Sequence, residues 1–143
     1  VLVGADGRGA EQSTVDDVQE QIDPLDKQGL GEGLANIGCV FTAKAPTEKS
    51  IAVNVSVALA KEKSMQGAKA EIDEKLIAYF RDLALDNKSD TAIVRLTSIG
   101  NILLNCDSVI DYSNLTLDGG TSNVTISVNS VPILGTLTVS AME

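Results

Sequence analysis

Histidine is absent from all 143 residues, so the side chain that most often serves as a general base near neutral pH, and most often binds metals, is missing. No Ser or Cys therefore has an imidazole to activate it as a nucleophile. Cysteine is almost absent too. Cys39 and Cys106 form neither a CxxC pair nor a zinc spacing, and are expected as two free, buried thiols of a reducing compartment. No apolar run approaches the roughly 20 residues that cross a bilayer, and the N-terminus lacks the basic flank and apolar stretch of a signal peptide. The first residue is not Met and VLVGA reads like the end of a strand, so a piece of a longer protein is expected.

Basic residues are also few: 11 Lys and Arg against 20 Asp and Glu give a formal charge of −9. Nucleic acid and anionic membrane surfaces are thereby disfavoured, because phosphate contacts need clustered cations. The charge is uneven along the chain. Residues 1–36 carry eight acidic and two basic side chains, residues 37–90 eight of each, and residues 91–143 four acidic side chains and Arg95.

What is present includes 43% hydrophobic residues, enough for a core. VLVGADGRGAEQSTVDDV looks at first like strand, glycine loop and helix, the order of a phosphate-binding loop. The spacing of Gly4, Gly7 and Gly9 is GxxGxG, matching neither GxGxxG nor GxxxxGK[ST]. Asp6, Glu11, Asp16 and Asp17 would repel a phosphate there, so no nucleotide site is expected. Ser13 or Thr14 is expected to cap a first helix with Val15, Val18 and Ile22 on one face, ending before Pro24. DPLDKQGLGEGLANIG is too glycine-rich for a regular element and reads as a long loop.

CVFTAKAPTEKSIAVNVSVAL contains two alternating runs around APTEKS, which predicts an antiparallel hairpin with Ile51, Val53, Val55, Val57 and Leu59 on the inner face. From Ser64 to about Ala84 the period becomes helical: Ile72, Leu76, Tyr79, Phe80 and Leu83 form one face, with Lys69–Asp73 and Glu71–Lys75 pairs outside. TAIVRL is a short strand, and Thr97 is expected to cap a two-turn helix burying Ile99, Ile102 and Leu103. The remainder, punctuated by DGG and NS turns, predicts a three-stranded meander. The fold class expected is α+β: an antiparallel sheet covered by helices, then a small helix and a C-terminal β-meander. Residues 1–90 and 91–143 form two units or one continuous domain.

Candidate sites for ligands are weak. DNKSD (Asp86, Asn87, Asp90) lacks the glycine and distal Glu of an EF-hand, and the acidic run from Asp16 to Asp26 is better read as a solvated helix face. The N-x-[ST] sequences at Asn54, Asn114 and Asn123 read as strand sequence. No cofactor, metal or small-molecule substrate is expected and the chain is not expected to be an enzyme; a small-molecule or metal-binding α/β domain is the alternative class. The strongest signal is the nearly uncharged C-terminal third. An exposed sheet edge normally carries Lys or Glu against edge pairing, whereas Thr116, Thr125, Ser127, Thr136 and Thr138 stand here, a candidate assembly surface.

Several segments in one order also resemble a known family. They are strand, helix, IDPLD, GLGEGLANIG and an alternating strand, followed by Ile99-Gly100 in the small helix. The Val109 to Gly119 segment then reads V-x-D-Y-x-N-L-x-L-x-G, and Val131-Pro132-Ile133-Leu134-Gly135 opens V-P-x-L-G-x-[LV]-x-V. Together they resemble the C-terminal part of the baseplate J-like family of contractile phage tails and related bacterial particles. The resemblance implies a non-catalytic structural protein of the baseplate wedge, located in the virion tail and assembled in the bacterial cytoplasm. Its implied partners are other copies of itself, other wedge proteins and the sheath-initiating component. It also implies that an N-terminal half precedes these residues.

Overall fold

The computed structural model of the chain describes residues 1–86 and 91–142. Regular structure begins at helix α1 (Gln12–Ile22). The cap is Glu11 rather than Ser13 or Thr14, with no side-chain cap bond; Val15 and Gln19 are its buried positions. The opening VLVGA is not a strand but holds one isolated bridge, Val3 to Gly9. Between them Gly7 has φ +79°, and a Cβ there would stand 2.7 Å from Arg81 Cα. Gly7 thus allows a tight turn to lie directly on a helix backbone.

Strand β1 (Thr47–Leu59) follows a long irregular segment and is the centre of the molecule. Its alternation is realised as expected: Ile51, Val53, Val55 and Val57 are 0–1% exposed. Helix α2 (Met65–Leu85) covers that face. The Ser64 hydroxyl caps α2 by accepting from the Gly67 N–H, and Ala68, Ile72, Leu76, Phe80 and Ala84 form its buried stripe. After the short strand β2 (Ile93–Val94) comes α3 (Leu96–Leu104), capped at Arg95 instead of Thr97 and burying Ile99, Gly100 and Leu103. Strands β3 (Val109–Leu117), β4 (Val124–Thr125) and β5 (Ser130–Ala141) complete the chain. Residues of α2, α3, β1, β3 and β5 share one core.

The fold is α+β, with strand partnerships that differ from the sequence reading. The main sheet has the order β3-β1-β5, β3 antiparallel and β5 parallel to β1, while β4 pairs with β2. The expected C-terminal meander is therefore corrected: β3 and β5 flank β1 and do not touch as neighbours. β1 is long and apolar with two edges to satisfy, and satisfying both outweighs the economy of pairing sequence neighbours. The main sheet thus draws one strand from before residue 90 and two from after it.

The expected hairpin across APTEKS is also corrected, since residues 39–46 form no strand. Side chains take the place of a ladder there. Gln19 Nε2 donates to the Phe41 carbonyl at 3.0 Å, Gln28 Nε2 to the same oxygen at 2.9 Å, and the Ala43 N–H donates to Gln19 Oε1 at 2.7 Å. Pro46, buried and without an N–H, then interrupts the run.

Candidate interaction surfaces

The turns that set the sheet are chemically specified. Asp118 (φ 49°) and Gly119 (φ 80°) make the reversal after β3, a conformation glycine adopts without cost and Asp tolerates. Asp118 Oδ1 also accepts from the Ala52 N–H at 2.8 Å, and Oδ2 lies 3.4 Å from Lys49 Nζ, tying the turn to β1. Gly135 sits at the register shift between β1 and β5, where a Cβ would be 3.1 Å from the Ile51 carbonyl oxygen.

With α2 on one face of the sheet, the alternate residues of β1 face away from it. Asn54 lies between Thr116 of β3 and Thr138 of β5, and Ser56 between Ser113 and Ser140. The Ser56 and Ser140 hydroxyls are 3.0 Å apart. Ala52 is exposed on this face, and Thr136 alternates with the buried Leu137. Around Asn54 and Ser56 the face is thus small, hydroxyl-rich and uncharged, with Glu48, Asp118 and Asp111 toward its ends. Thr116, Thr136 and Thr138 come together here. Thr125 and Ser127 do not: Thr125 is on β4 opposite Ile93, and Ser127 is exposed in the turn that follows. β5 is an edge strand of 12 residues without a charge.

A second surface was not anticipated from sequence. The loop after α1 exposes Leu25, Leu30, Leu34, Ile37 and Val40. It is shaped by the buried Asp23, whose Oδ1 accepts from the Gly29 N–H and Oδ2 from the Phe41 N–H, each at 2.9 Å. Gln19 Nε2 donates to the Asp23 carbonyl at 2.6 Å. The Gly38 N–H donates to the Gly29 carbonyl at 2.7 Å, closing the loop on itself, and Gly33 passes so near the Ile22 carbonyl that it leaves no room for a Cβ. With its polar backbone thus engaged, the loop holds its apolar side chains outward. The available signal was Leu25, Leu30, Leu34 and Ile37, four large apolar residues in a segment with no period to bury them.

Elsewhere, Cys106 is buried and its Sγ donates to the Ile102 carbonyl at 3.3 Å, whereas Cys39 is exposed, correcting the expectation of two buried thiols; both are free. Burial pushes the Cys106 thiol above its ordinary pKa. Glu71 pairs with Lys75 at 3.6 Å as expected and also accepts from the backbone N–H groups of Asp107 and Ser108 at 2.7 and 3.1 Å. Among the described residues no group of three or more His, Cys, Asp or Glu is placed to hold a metal ion. Asn87 and Asp90 of the DNKSD segment lie outside the described residues. No helix among them is long and apolar enough to cross a membrane.

Comparison with known proteins matches residues 51–140 to the Baseplate J-like protein C-terminal domain. These residues contain α2, α3 and all five strands except the ends of β1 and β5. The chain is 32% identical over 135 residues to the phage-like element PBSX protein XkdT of Bacillus subtilis (strain 168). It is 29% identical over the same length to the uncharacterized protein YqbT of that strain. Each alignment covers 94% of this chain and 37% of the relative.

Proposed function

The chain belongs to the baseplate J-like protein family through its C-terminal domain, and from that membership we propose that it is a structural module of a contractile tail baseplate, built into the wedge and ring by contacts of the sheet. The observation that carries the assembly role is the uncharged outer face around Asn54, flanked by Thr116 and Thr138. On a chain of net charge −9, such a face is where a neighbour can pack closely without bringing like charges together. The edge strand β5, also uncharged, adds a row of backbone groups able to accept a neighbouring strand. Residues 47–142 act as one continuous unit in this reading, because the sheet would be incomplete without strands from either side of residue 90.

The partners are other copies of the chain, other wedge proteins and the sheath-initiating component, and the site of action is the virion tail baseplate after assembly in the bacterial cytoplasm. No catalysis is assigned. Thr138→Lys and Thr136→Lys test the role against Thr125→Lys, which lies on the small β2-β4 sheet. The expected outcome is intact folding for all three, with particle assembly lost for the first two and retained for the third. Normal particles from Thr138→Lys and Thr136→Lys would refute the assembly face.

A further inference from the structure

Single exposed apolar residues are ordinary, but Leu25, Leu30, Leu34, Ile37 and Val40 stand on one closed loop. Leu34 and Ile37 are 81% and 82% exposed, so the fold itself gains little from them. Two of the five nevertheless rest on glycine backbone. Ile37 lies across Gly31, where a Cβ would be 2.5 Å from Ile37 Cγ1, and Val40 lies beside Gly29, on either side of Leu30. The backbone beneath is held by Asp23, Gln19 and Gln28. An apolar surface presented on a pinned backbone loses little conformational freedom on binding.

The surroundings of the loop indicate what it fits. Lys27 donates to Glu32 Oε2 at 2.9 Å. The ammonium is held above its ordinary pKa chiefly by that bond and its charge, with Asp26 and Glu20 adding to the effect. Glu20, Asp26 and Glu32 are all exposed here and Lys27 is the one cation of residues 20–40, leaving an excess of negative charge beside the apolar residues. Asp16 and Asp17 lie further up α1, on exposed positions.

We propose that residues 24–40 are a docking surface for a different protein chain, one that presents apolar side chains bordered by Lys or Arg. A symmetric contact with the same loop of a second copy would set the acidic borders against each other. The inference builds on the reading of the chain as an assembly component, but its test needs no particle. Failure here would leave the outer-face experiment untouched.

Three synthetic peptides of about 18 residues serve as probes for calorimetric titration of the full chain: an amphipathic Leu/Lys helix, a Leu/Glu helix of the same pattern, and a Ser/Lys peptide with the same charge. The Leu/Lys peptide should bind one to one, at least tenfold more tightly than either other. Leu34→Ser combined with Ile37→Ser should weaken that binding at least tenfold while the thermal midpoint stays unchanged. Glu20→Gln with Asp26→Asn should weaken it less and flatten its dependence on salt. Equal binding of the Leu/Lys and Ser/Lys peptides, equal binding of the Leu/Glu peptide, or full affinity in the Leu34/Ile37 variant would overturn the proposal. So would a concentration-dependent dimer of the chain that this variant abolishes, which would identify a second copy as the occupant.

Discussion

The hydroxyl of Tyr112 occupies the space that a side chain at Gly100 would need: a Cβ built there overlaps Tyr112 Oη and would lie 2.9 Å from its Cζ. Gly100 is buried in α3 and Tyr112 stands on β3, so this contact fixes how closely the small helix approaches the edge of the sheet. It also ties together two of the sequence segments that resemble the family, the Ile-Gly of the helix and the Tyr of the strand.

Gly100→Ala should therefore destabilise the fold by overpacking, by about 1–3 kcal/mol, even though alanine is the better helix former. Tyr112→Phe removes the nearest atom and should recover part of that loss in the double variant, leaving the remainder due to the ring. Chemical denaturation of the four proteins in the cycle measures the coupling. Additive effects would show that the two residues do not compete for this space.

Asp23 supplies the acceptors for Gly29 and Phe41, so Asp23→Ala should leave two amides without partners, at a cost of about 1–3 kcal/mol each if they stay buried. Loosening the loop is the cheaper response. Faster amide exchange and proteolysis confined to residues 24–43 are expected, with β1 and α2 still protected. Unchanged exchange at Gly29 and Phe41 would count against the anchoring role.

Glu71 gives the fold a pH dependence. Hydrogen bonding from Ser108 is the leading cause that holds its carboxyl below the ordinary value of 4.5; burial opposes it, and the amides of Asp107 and Ser108 and the Lys75 charge assist. A carboxyl with a lowered folded pKa contributes stability that is fully present above its unfolded pKa and is lost as pH falls through the folded pKa. Wild type should thus exceed Glu71→Gln in stability by a constant margin above about pH 5, and the margin should shrink below about pH 4. A margin independent of pH down to the acid transition would rule out this linkage.

The two thiols should separate in reactivity. Cys39 is exposed and Cys106 buried, with the latter's thiol pushed up by burial, and only the thiolate alkylates readily. Intact mass after iodoacetamide should show one adduct on the native chain, mapped to Cys39, and two after denaturation without reductant. Two native adducts would mean that α3 opens readily.

The inner face of β1, the buried stripe of α2 and the Asp118-Gly119 turn were all legible in the sequence, because each depends on residues a few positions apart: side chains alternate across a strand, recur every three to four positions on a helix, and a positive φ selects Gly or Asp locally. The Thr, Ser and Asn content of the C-terminal third was legible too, but not its arrangement. Alternation states which way a side chain points, not which strand lies beside it. Only the tertiary structure set Thr116 and Thr138 on either side of Asn54, 22 residues apart from each other and more than 60 from it, and sent Thr125 to a different sheet. Likewise the alternating run at 39–46 was refused a ladder because Gln19, Gln28 and Asp23 reached its backbone first. Partnership is decided by which distant groups can satisfy a buried backbone at the lowest cost, and that competition is settled between segments that no local pattern connects.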